Sequence, residues 1–180
     1  MIVTNRSAGH RRRFILLLLS FLIILGAVGC ATQQPTVRTF VLEDGTQYFL
    51  RPVEFQGDQG TALLDVTVRI TDAGESTSVN FSLPVDIASV TRPNRVDEAA
   101  FLTSSGDEYP LAELRLLYVD AAVLRYESTV AFSDLEALVA AAHDREETIT
   151  FRAIRGGRLE EFEAGERFYE GMRRLAISIE

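Results

Sequence analysis

Hydrophobic positions along the chain change their period at about residue 36. Residues 14–28 form an apolar run broken only by Ser20 and Gly26. Further on, Leu64, Val66, Val68 and Ile70 alternate with Asp65, Thr67 and Arg69, and Val79, Phe81, Leu83 and Val85 alternate with Asn80 and Ser82. A period of two puts one set of side chains on a packed face and the other in water. The two runs, joined by residues 71–76, therefore predict an amphipathic β-hairpin. An earlier hairpin is predicted from strands over 37–42 and 47–55. These flank Glu43-Asp44-Gly45-Thr46, where Asp-Gly suits a tight turn, and Pro52 places the second strand at an edge or a bulge.

The second half mixes periods. Residues 87–110 are the least regular and hold one short predicted strand over 99–102; 114–119 and 122–132 read as two more. Ser133-Asp134-Leu135-Glu136 has the form of a capping box, in which the serine hydroxyl and the glutamate carboxylate each satisfy a first-turn amide. The helix it opens has Leu135, Leu138, Val139 and Ala142 on its inner face. Strands over 148–154 and 159–163 flank Gly156-Gly157, and a turn centred there sets Arg152 opposite Glu161 and Phe151 opposite Phe162. Phe168, Met172, Leu175, Ala176 and Ile179 then recur at helical spacing from a start near Gly165. About eight short strands with two helices, near 133–143 and 165–179, predict an α+β domain built mainly from antiparallel β-hairpins and resembling a β-sandwich.

Charge also sets the N-terminal segment apart from the rest of the chain. All 26 acidic residues follow residue 30, whereas Arg6, Arg11, Arg12 and Arg13 precede it, which leaves 14 basic residues and a net charge of −12 beyond. Such a surface repels phosphates, so nucleic acid is not an expected partner, and there is no basic patch for anionic lipid. Every basic residue is Arg. The absence of Lys removes Schiff-base chemistry, a P-loop lysine and a Ser-Lys dyad.

The N-terminal segment has the layout of an export signal, a basic region ending at Arg13 followed by the apolar run. At about 1.5 Å per residue the run spans about 22 Å as a helix, short of a hydrocarbon core of about 30 Å. It ends in Gly26-Ala27-Val28-Gly29-Cys30, which resembles the lipobox of bacterial lipoproteins, with Ala27 where the motif usually has Leu. The resemblance implies a diacylglyceryl thioether on the Cys30 sulfur, removal of residues 1–29 and acylation of the new amino terminus. Cys30 is the one cysteine in the chain, so no intramolecular disulfide forms. The expected organisation is a signal peptide over 1–29, a lipidated tether over 30–36 and a single soluble β-rich domain over 37–180. The expected membrane partner is engaged through lipid on Cys30. Arg11-Arg12-Arg13-Phe14-Ile15 also looks like a twin-arginine export motif, although the Leu- and Ile-rich run suits the general secretory route. Ala31 after Cys30, in place of an Asp, resembles the pattern of lipoproteins sorted to the outer membrane.

Candidate chemistry in the domain is sparse, and neither cofactor nor metal is expected. His143 is its one histidine and falls at a predicted helix end, where a solvated role is the ordinary one. Glu160, Glu161 and Glu163 supply carboxylates that a glycosidase could use in pairs. Asp58 with Asp65, or Asp107 with Glu108, supply hard oxygen donors without an EF-hand loop. Arg152, Arg155 and Arg158 gather around the Gly156-Gly157 turn and could grip an anionic group on a partner, or pair with the neighbouring glutamates. The leading expectation is a non-enzymatic envelope binding or assembly module with a protein partner. Its rivals are a carboxylate-dependent envelope glycan hydrolase and a structural spacer.

Overall fold

The computed structural model describes residues 37–85, 95–120, 122–144 and 147–179, the side chains of residues 143 and 144 excepted. In chain order its strands are β1 (Val37–Leu42), β2 (Gly45–Gly57), β3 (Gly60–Thr71), β4 (Gly74–Pro84), β5 (Val96–Thr103), β6 (Glu108–Pro110), β7 (Ala112–Val119), β8 (Val123–Thr129), β9 (Ile149–Arg155) and β10 (Arg158–Ala164). Helix α1 (Phe132–Asp144) follows β8, and α2 (Glu166–Ile179) follows β10. All strand pairs are antiparallel, in the order β6-β5-β9-β10-β2-β3-β4-β8-β7, with β1 alongside β2. The α+β, hairpin-built architecture is the one expected.

Turn chemistry sets the registers. Leu42 lies opposite Gly45, so the first turn consists of Glu43 and Asp44 instead of the expected Asp-Gly pair. Gly45 serves a different purpose: a Cβ there would fall 2.0 Å from the Ile70 carbonyl oxygen. Beyond it, the register slips between Leu50 and Val53, which is the bulge that Pro52 predicts. Thr71 faces Gly74, making the second turn the two residues Asp72 and Ala73. At the last hairpin Gly156 and Gly157 both have positive φ, 58° and 76°, as a two-residue primed turn requires. Phe151 faces Phe162 and Arg152 faces Glu161, in the expected register.

Several elements differ from expectation, β6 among them, because three residues are too few to show an alternation. Strand β5 has eight residues because a register shift between Val96 and Glu98 interrupts the alternation and conceals its first half in the sequence. Strand β8 stops at Thr129, and Phe132 opens α1 instead of ending a strand. The Ala131 carbonyl accepts from the amides of Asp134 and Leu135, so the helix begins ahead of Ser133. Starting there turns Phe132 toward the core while Ser133 stays exposed.

The sheet closes on itself through β6 and β7, which only Leu111 separates. β6 pairs with β5 and β7 with β8, at opposite ends of the strand order, and the Leu111 amide donates to the Ala99 carbonyl at 2.8 Å. A nearly closed barrel results. Its interior is flattened: Phe81 of β4 and Phe151 of β9 sit 5.0 Å apart although three strands lie between them in the sheet. Phe55, Phe101 and Phe162 complete this layer, and α2 inserts Phe168 within 4.9 Å of Phe55. The helices pack on each other, α2 also against β1, β2 and β10, and α1 against β4, β5 and β6.

Above Leu111 the seam between β5 and β7 is bridged from inside. The Tyr126 hydroxyl of β8 accepts from the Val96 amide at 2.9 Å, and its ring stacks on Phe81 at 5.2 Å. Removing the hydroxyl by Tyr126→Phe leaves a buried amide without its acceptor. The expected loss is about 1–3 kcal/mol in a urea denaturation series, with the fold retained. An unchanged midpoint would mean that water replaces the hydroxyl there.

Candidate functional site

The three arginines singled out in the sequence do not converge. Strand alternation sends Arg152 outward, where it pairs with Glu108 of β6. Arg155 instead bends into the barrel end. Its Nε donates to Glu160 Oε1 at 3.0 Å, its Nη2 to the same oxygen at 2.5 Å, and its Nη1 to the Pro84 carbonyl at 2.9 Å. Arg158 is exposed, with no ion pair among the described residues. The pairing of Arg155 with a glutamate across the hairpin agrees with the sequence reading.

The carboxylates separate in the same way. Glu160 faces the interior with 3% of its side chain accessible, while Glu161 and Glu163 are exposed on the other side of β10. Asp65 is buried and accepts from Asn80 Nδ2 at 2.8 Å and Arg125 Nη2 at 2.7 Å, so its oxygens are already engaged. Asp58 is exposed, and Glu108 is the partner of Arg152. Among the described residues no three His, Cys, Asp or Glu side chains gather as a metal site needs. The His143 side chain and Cys30 lie outside the described residues.

Among the concave surfaces of the described residues, two bear on these readings. One, of about 360 Å³, opens beside the seam where β7 leaves β5, with Glu98, Glu108, Glu113 and Arg152 among its walls. Glu113 holds a positive φ of 53°, the cost of turning the strand from β5 toward β8. Nearby, Asp97 accepts from the Gly156 amide at 3.2 Å, and Glu98 and Glu113 are exposed. Acidic groups so placed are solvated.

The other is a groove of about 660 Å³ between the two helices, at the barrel end where β3 turns into β4. Phe132, Leu135 and Val139 of α1 form one wall, Leu175 and Ile179 of α2 the other, and Ile70 of β3 the floor. It exists because each helix spends its most apolar stripe on the barrel and leaves the adjoining positions half-covered. Leu135 and Leu175 are buried, whereas Val139, Ala176 and Ile179 are intermediate. Glu75 and Glu136 stand at its edge. The sequence reading assigned Leu135, Val139 and Ile179 to inner helix faces and did not join them into a groove. Phe132 was hidden in an expected strand, and the meeting of α1 with Ile70 is a long-range contact that no local period carries. Comparison with family models, curated proteins and solved structures finds no match to this chain.

Proposed function

We propose that this is a lipid-anchored protein of the bacterial envelope whose barrel domain binds a partner and performs no catalysis itself. The anchor rests on the N-terminal residues: a basic region, an apolar run and a small residue meeting at the single Cys30. The observation that carries the binding reading is the open apolar groove between α1 and α2, since concave apolar surface left in water favours an occupant. A spacer protein has no use for such a surface. Two or three acyl chains, at about 0.8 kcal/mol per buried methylene, hold a domain to a bilayer without a spanning helix. With Ala31 after Cys30 the outer membrane is the favoured site, and a net charge of −12 over the residues beyond Cys30 disfavours nucleic acid.

The anchor is tested by intact mass of the protein from its native host, beside a Cys30→Ala variant. The expected wild-type chain starts at Cys30 and carries the mass of a diacylglyceryl group plus acylation; the variant keeps residues 1–29. An unmodified Cys30 in a chain that still starts at Met1 would mean a signal-anchored protein and refute the lipid anchor.

A further inference from the structure

Two carboxylates, those of Glu75 and Glu136, stand on the groove's rim. Cross-strand pairing sets Val41, Thr46, Ile70 and Glu75 in one row across β1 to β4, so all four share a face. Ile70 is the groove floor, and Val41, 85% exposed, lies two strands further along the row, beyond Thr46. At the other end of the row Glu75 is exposed, and Glu136 of α1 is exposed on the groove edge. Neither carboxylate has an ion-pair partner among the described residues. Carboxylates beside an apolar wall interact more strongly with an arriving cation than they would in open water.

Resting on the binding reading above, we infer that the groove takes a short amphipathic segment of a partner protein whose apolar side chains are accompanied by Lys or Arg. Apolar residues at helical spacing fit a trough between two helices, as in other helix-in-groove complexes. The rim decides against the other occupants. A fatty acid or an anionic lipid surface brings its own negative charge to Glu75 and Glu136. A second copy docked symmetrically sets the same carboxylates against each other, because a two-fold contact repeats one patch on both sides.

The test uses the full chain in phosphatidylcholine nanodiscs and two dansyl-labelled helical peptides, one of Leu and Lys, the other with Glu in place of Lys. Fluorescence anisotropy is read against empty nanodiscs. The expected result is saturable binding of the Lys peptide at least tenfold tighter than that of the Glu peptide. Joint Glu75→Gln and Glu136→Gln substitution, both at exposed positions that leave the fold intact, reduces that preference about tenfold. Val139→Asp abolishes binding, with circular dichroism confirming the fold. Equal binding of both peptides, lost in Val139→Asp, would overturn the charge assignment and leave the groove as a docking site. Absence of binding by either peptide would overturn the inference and remove the groove's support for the binding reading. A concentration-dependent dimer dispersed by Val139→Asp, with no peptide bound, would overturn it in favour of a second copy.

Discussion

Truncation of Arg155 to Ala is expected to destabilise the domain by about 3–5 kcal/mol, because it strands the Glu160 carboxylate inside the barrel. Oε1 of that carboxylate takes both guanidinium hydrogen bonds, and Oε2 is buried without any partner. Among the described residues Arg155 is therefore the one compensation for a charge removed from water, and it also ties β9 to the end of β4 through the Pro84 carbonyl. A loss of that size is a large part of the roughly 5–15 kcal/mol that holds a typical domain together. Replacing both partners, by Arg155→Met with Glu160→Leu, should recover most of it, since an apolar pair of similar volume removes the desolvation cost together with the attraction. Urea denaturation followed by far-ultraviolet circular dichroism measures both. A loss below about 1 kcal/mol in the single variant would mean that water reaches Oε2 and that the pair is not dry.

Phe151→Ala is expected to cost about as much, roughly 3–5 kcal/mol, by a different route. The ring is fully buried and lies within 6.3 Å of four other phenylalanine rings, Phe55, Phe81, Phe101 and Phe162. These come from β2, β4, β5 and β10, so one side chain joins both walls of the flattened interior. Neighbours fixed by the sheet cannot collapse into the space left behind. Leu159→Ala, at a position 54% exposed on β10, serves as the control and should change stability by less than about 0.5 kcal/mol. Equal effects of the two would show that the aromatic layer is not the centre of the core.

How much was legible in the sequence follows from the range of the signals. The hairpin over β3 and β4 was read from its alternation, and the β9–β10 register from Gly156-Gly157, because both depend on residues within a few positions of each other. Asp-Gly at 44–45 misled for the same reason: locally it is a turn signal, but Gly45 answers to the approach of Ile70, 25 residues away. Phe132 was likewise read with the strand before it, since one apolar residue beyond Val130 extends an alternating pattern whether or not the chain turns there. Barrel closure left no local trace. Residues 108–110 fall in the stretch read as irregular and 114–119 in a strand of their own, and neither shows in the sequence that its partner is β5 or β8. The groove shares that fate. Its walls come from stripes at helical spacing, yet their meeting is decided by how α1 and α2 lie on the barrel. The arginine cluster was gathered by sequence proximity, and strand alternation then sent Arg152 and Arg155 to opposite faces.

The pairing of β10 with β2 also sets the tempo of folding. Gln56 must find Glu163, more than a hundred residues later in the chain, before the barrel wall is continuous. Contacts of such separation carry a large loop-closure entropy and place a β-rich domain among slow folders. The early hairpins form from neighbouring residues, but the interior stays open until the last strand and helix have been made. For a chain whose first residues resemble a secretory signal, this delay is useful. If the chain is threaded through a membrane channel, β10 crosses well after β2, and the wall cannot close before it has.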